Sequence, residues 1–299
     1  MRADLLAIFL GLGSAGTWGA GDFCGGLSAR RLRAGEVAVL AQVAALLLLG
    51  GLTSALGPPL PAGHTVLWAS LAGIGNGVGM LLLYAALGRG VMSVAAPVAA
   101  LFTAAVPVVA SALLEGVARP PQLAGFALAA LAIWLVAQQP SAVVGESPEA
   151  ARARTGSART GLWFAIAAGL GFGSFLLCMK LAAPGEAELP AMVLSRAASL
   201  PVLLGAWWWS RSAEGPPPGK PGALRSRLLA CAAGGLDALG NTFFLAAIAR
   251  GRLDASSVLS ALYPVSTVVL ARVVLGERPG RLQQAGLGLA LGAVVLIAL

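Results

Sequence analysis

Apolar residues run along this chain in blocks of 17 to 24, separated by short clusters of glycine, proline and charge. A helix needs about 20 such residues to cross the hydrocarbon layer. The blocks therefore predict spans near 5–28, 35–56, 65–87, 91–114 and 121–138, then 161–182, 190–209, 226–249, 254–275 and 282–298. Gly57-Pro58-Pro59-Leu60-Pro61, Arg119-Pro120-Pro121 and Gly215 through Gly219 interrupt the pattern with residues that cannot continue a helix. Residues 139–160 are polar, with Glu146, Glu149, Arg152, Arg154 and Arg159, and read as a linker. The expectation is an all-α integral membrane protein of ten transmembrane helices, organised as 1–138, the linker 139–160, and 161–299.

The two halves repeat. At an offset of 161, Gly79 pairs with Gly240, Arg89-Gly90 with Arg250-Gly251, and Gln122-Leu-Ala-Gly125 with Gln283-Gln-Ala-Gly286. At an offset of 154, Trp18-Gly19 pairs with Phe172-Gly173, Cys24 with Cys178, and Gln42 with Arg196. Five spans is an odd number, so the second copy enters the membrane from the opposite side. Two inverted five-helix repeats are the plan of many secondary transporters. The first span has a counterpart in the second half, which argues against a cleaved signal peptide.

Hydrophobic residues make up 58% of the 299 and charged residues 11%, against roughly 45–50% and about 25% in soluble domains. Ten spans then leave only short loops. The +8 charge sits in those loops and favours anionic headgroups of the lipid bilayer; no basic stretch is interleaved with aromatics on a soluble fold, so nucleic acid is not an expected partner. Fourteen Lys and Arg fall on the odd loops and five on the N-terminus and even loops, which places the odd loops in the cytoplasm and the termini outside. Cys24, Cys178 and Cys231 are widely spaced and apolar in context, and read as small hydrophobes. His64 falls in a short loop. No nucleophile with an adjacent base, catalytic carboxylate pair or metal-ligand set appears, so neither enzyme nor cofactor is expected.

Gly11-Leu-Gly13-Ser-Ala-Gly16 matches a dinucleotide-binding pattern, but that pattern requires a strand before it. Together with Gly21-x-x-x-Gly25, Gly73-x-x-x-Gly77 and Gly169-x-x-x-Gly173, it instead marks close helix approach. Polar residues inside spans carry more information. Ser14, Trp18 and Asp22 form one stripe in the first span. Asn76 and its repeat partner Asp237 lie near mid-membrane, with Met80 and Asn241 one turn further on. Arg196 lies near the middle of the seventh span, and Ser256, Ser260, Tyr263 and Thr267 share a face of the ninth. Charge at mid-bilayer costs about 2.5–3.5 kcal/mol, so such residues face a cavity or a partner. The candidate substrate-binding set is Trp18, Asp22, Asn76, Met80, Arg196, Asp237, Asn241, Ser260 and Tyr263. Two blander readings compete: Asp237 and Arg196 pair only to hold helices together, and the ninth-span stripe serves packing. If transport is proton-coupled, Asp22 and Asp237 are the carboxylates at depth; Arg196 makes Asp237 the better substrate anchor and Asp22 the better proton carrier. Pro264 beside Tyr263 is the expected hinge.

Leu262-Tyr-Pro264-Val followed by Leu275-Gly-Glu277 and Gln283-x-x-Gly286 resembles the EamA family of the drug/metabolite transporter superfamily. Trp18-Gly19 and the duplicated layout fit it too. The first copy departs from the pattern: Thr103 stands at the proline position, with Pro107 a turn later, and Leu114-Glu115-Gly116 transposes Leu-Gly-Glu. Glu115 and Glu277 read as caps or interfacial partners of nearby arginines. The resemblance implies a central cavity with helices 5 and 10 at the periphery, and passage of small metabolites, amino acids or drugs, often outward. It also implies cytoplasmic termini, against the arginine count. The expected protein is a multi-pass secondary transporter of the plasma (inner) membrane, with a small-molecule substrate. A homodimer is left open, and a structural or regulatory membrane protein is the alternative.

Overall fold

The computed structural model describes residues 2–29, 31–56, 61, 63–87, 92–136, 148–182, 188–214, 223–275 and 280–298. Arg89-Gly90, Gly215 through Gly219, Glu277 and the linker stretch 139–147 lie outside them. Among the described residues the chain is all helical: α1 (Arg2–Ala29), α2 (Ala34–Leu56), α3 (Gly63–Leu87), α4 (Met92–Leu114), α5 (Pro120–Val136), α6 (Pro148–Ala182), α7 (Glu188–Glu214), α8 (Ala223–Ile248), α9 (Leu253–Ser260), α10 (Tyr263–Leu275) and α11 (Arg281–Ala298). Six helices, α2, α3, α4, α6, α7 and α8, hold stretches long and apolar enough to cross a membrane; α5 and α11 contain shorter apolar runs.

Two predicted elements differ. The ninth span is broken between α9 and α10. Pro264 has no N–H for the carbonyl of Ser260, and the chain tightens there through bonds from Leu262 N to Leu259 O (3.2 Å) and from Val265 N to Leu262 O (2.9 Å). The linker is partly helical, because α6 starts at Pro148. Proline at a first turn followed by Glu, Ala and Arg is a helix start, whatever the polarity of the segment. His64 also belongs to a helix, inside the first turn of α3, its ring 6.3 Å from that of Trp68.

The interior is built from small side chains. Ala38, Ala69, Ala72, Ala100, Ala129, Ala132, Ala165 and Ala168 are wholly buried, while Leu47, Leu113, Leu228 and Leu291 stand outward. Large apolar residues outside and alanine inside suit a lipid surround, where close backbone approach replaces the hydrophobic effect as the packing force. The principal contacts are α1 with α8, α9 and α10; α3 with α6 and α7; α2 with α7 and α8; α4 with α6; and α5 with α11. Exchanging the repeats leaves this set unchanged. The glycines explain how. A Cβ on Gly234 would meet the Ala41 backbone, and one on its repeat partner Gly73 would meet the carbonyl of Ser195, itself the partner of Ala41. The Trp18 indole lies on Gly240 just as the Phe172 ring lies on Gly79.

Candidate functional site

The α1–α8 and α3–α6 pairs leave a cavity of about 110 Å³ between them, at mid-helix depth. Seven of the nine predicted residues line it: Trp18 and Asp22 from α1, Asn76 and Met80 from α3, Asp237 and Asn241 from α8, and Tyr263 from the start of α10. Asp22 has a large accessible surface although it sits inside the bundle, because that surface is the cavity wall. Trp18 is held by Phe244 (ring centroids 6.0 Å, stacked) and Tyr263 (6.5 Å, edge-on).

The other two residues lie elsewhere. Arg196 is 2% exposed and sits behind the lining, its Nη2 2.5 Å from Asp237 Oδ2. The approach is off the N–H axis, so the contact is ionic rather than a well-aligned hydrogen bond. Arg196 Nη1 donates to Gln42 Oε1 (3.2 Å), and Gln42 Nε2 donates to Arg196 O (3.1 Å) and to the Ser199 hydroxyl. Gln42 and Arg196 occupy equivalent positions at the offset of 154, and here they meet each other. Ser260 is buried, and its hydroxyl donates to Gly11 O (3.4 Å). Thr267 donates to Gly19 O (3.2 Å) on the same helix. The ninth-span stripe thus ties α9 and α10 to α1, and Tyr263 alone of it reaches the cavity.

Sequence reasoning did not select Gln42, Thr103, Phe172, Phe175 or Leu176, all of which line the cavity. Phe172 and Gln42 carried a signal in their alignment with Trp18 and Arg196. Phe175 and Leu176 carried none, since an apolar lining residue reads like a lipid-facing one. Asn241 Nδ2 donates to Asp237 O (2.8 Å) and Oδ2 (3.2 Å), while Asn241 Oδ1 is buried without a partner.

A second polar cluster closes one end of the bundle. Glu115, just past α4, lies 3.1 Å from Lys180 Nζ of α6 and accepts from Ser111 Oγ (2.8 Å) and Leu253 N (3.1 Å). Arg252 pairs with Asp254 (2.8 Å) and donates to Glu115 O (3.2 Å) and Gly116 O (2.6 Å). Gly116 takes a φ of 84°, which explains why Leu114-Glu115-Gly116 places glycine last. Burial pushes the Glu115 carboxyl up, but bonds from Ser111, Leu253 and Lys180 outweigh it and hold the carboxyl below its usual 4.5. The hydrogen bond to Asp254 raises Arg252 above its ordinary value. Glu115 thus meets a lysine directly, and an arginine only through its main-chain oxygen.

An all-helical bundle with apolar outer faces and a polar pocket at its centre is a multi-pass membrane protein. The second repeat, residues 159–299, matches the EamA-like transporter family. No curated protein matches the chain. Solved structures do, in 23 chains. One of them, a crystal structure of another protein, shares the fold with a TM-score of 0.71 at 19% identity over 97% of this chain and 95% of that one.

Proposed function

We propose that the protein is a secondary transporter of the plasma membrane, built as ten spans in two inverted five-helix repeats, that exports a small molecule by alternating access. The observation that carries this reading is the central cavity, where two acidic residues face an enclosed space between helices that otherwise present alanine and glycine to each other. Mid-membrane carboxylates in a packing-only protein would be an uncompensated cost. The interchangeable contacts of the repeats support the inverted arrangement, since rocking one half against the other exposes a site on the axis to each face in turn. The broken α9–α10 segment at Tyr263-Pro264 serves as the hinge, and the Glu115–Lys180–Arg252–Asp254 cluster as the bar across one end. Asp22 carries the coupled proton and, once it has lost it, faces the substrate beside Asp237, which Arg196 already neutralises.

Purified protein in sealed proteoliposomes, screened with candidate substrates at two pH values, tests this. The wild type accumulates its substrate against a gradient when a pH difference is imposed. Asp22→Asn loses that accumulation, while exchange at equal pH continues at saturating substrate. Retained accumulation in Asp22→Asn and Asp237→Asn alike would remove proton coupling at an intramembrane carboxylate.

A further inference from the structure

The backbone frame of the cavity is two-fold, but its lining is not. Asp22 corresponds to Leu176 in the other repeat, Gly21 to Phe175, and Asn241 to Met80. The two carboxylates therefore stand on α1 and α8, Asn76 and Thr103 line the cavity from α3 and α4, and Phe172, Phe175 and Leu176 of α6 supply its apolar face. A ligand between such walls has one preferred orientation, polar end toward Asp22 and apolar body toward α6.

Charge decides what the polar end is. Asp237 already has Arg196, which stays behind the lining. No Lys, Arg or His lines the cavity, and Asp22 has no cationic partner among the described residues. A carboxylate enclosed by protein needs a counter-charge or a proton. An unpaired carboxylate on the cavity wall calls for a ligand with a positive charge and N–H groups to donate. Aromatic faces of Trp18, Phe172 and Phe175 add attraction for a cation and for an apolar body.

We infer that the cavity recognises a primary ammonium carrying an apolar body. The ammonium donates to Asp22, and the body lies on Phe172, Phe175 and Leu176. This rests on the transport reading and specifies its substrate class.

The test is calorimetric titration of the full-length protein in nanodiscs with four probes of one shape: phenethylammonium, its N,N,N-trimethyl analogue, phenylalanine and 3-phenylpropionate. Phenethylammonium binds saturably; the trimethyl compound, which has no N–H for Asp22, binds more weakly. The zwitterion and the anion bind at least tenfold more weakly still. Losing a charge-assisted hydrogen bond in Asp22→Asn weakens phenethylammonium by about 10- to 100-fold. Asp22→Glu restores part of it, with melting temperatures as the control for folding. The inference is overturned if phenethylammonium does not bind, if 3-phenylpropionate or phenylalanine binds as tightly, or if Asp22→Asn leaves the affinity unchanged. Asp22-dependent binding without any counterflow of phenethylammonium in proteoliposomes would instead count against transport and leave the recognition standing. Transport of an anion would do the reverse.

Discussion

Arg196 and Asp237 are each read differently once their surroundings are known. Both are visible in the sequence as charges in apolar helices, and both look equally like ligands of a substrate. The structure divides them: Asp237 is 39% exposed, toward the cavity, and Arg196 is 2% exposed behind it. Removing Asp237 leaves a buried guanidinium with Gln42 Oε1 as its remaining side-chain partner. Breaking a buried pair from one side costs roughly 3–5 kcal/mol, and the open face of Asp237 puts Asp237→Asn at or below the lower end. Asp237→Asn should therefore lower the melting temperature, and Asp237→Asn with Arg196→Gln should recover most of the loss. Equal destabilisation by the single and double variants would mean that the pair is not coupled. Transport by the stable double variant then reports on Asp237 separately from folding.

At the scale of helices, packing depends on glycines whose roles differ sharply between neighbours. A Cβ on Gly234 meets the α2 backbone at Ala41, whereas Gly235 has open space beside it. Overpacking costs about 1–3 kcal/mol, so Gly234→Ala should melt at lower temperature and Gly235→Ala should be neutral or slightly stabilised. The end cluster is a second helix-scale device. By the repeat offsets the counterparts of Lys180, Arg252 and Asp254 are Gly26, Val91 and Ser93, so the equivalent positions of the other repeat carry no charge. Lys180→Met with Arg252→Gln should lengthen the distance between spin labels at Val117 and Ala249 in a cysteine-free background; an unchanged distribution would show that the bar holds nothing closed. Acid acts through Glu115. Its folded carboxyl titrates below 4.5, so the stabilisation it gives is complete above its unfolded pKa and is lost as pH falls through the lower folded value. The same label distance should stay constant from neutral pH to about 5 and lengthen only in stronger acid. Helices were also where sequence reading was most and least successful. Hydropathy located the long apolar runs but carried the ninth span unbroken through Tyr263-Pro264, where α9 ends and α10 begins. The helix from Pro148 is hidden because a polar segment reads as linker, although Ala, Glu and Arg are good helix formers.

For the whole molecule, the repeat supplied most of what was legible. Offsets of 161 and 154 pair the residues that come together at the centre, Gln42 with Arg196 and Trp18 with Phe172. Polar lining residues stood out against an apolar background. The apolar wall did not, because hydrophobicity alone cannot separate a residue facing a cavity from one facing lipid. The central claim is that this cavity opens to the two faces of the membrane in turn. Its most direct test is an Asn76→Cys variant on a background with Cys24, Cys178 and Cys231 replaced, labelled with an impermeant thiol reagent from each face of oriented vesicles. Cysteines at Gly63 and Leu224, near the starts of α3 and α8, serve as references for the two faces. The account predicts that Asn76→Cys reacts from both faces and that a transported substrate slows both reactions. Reaction from one face only, unchanged by substrate, would contradict it.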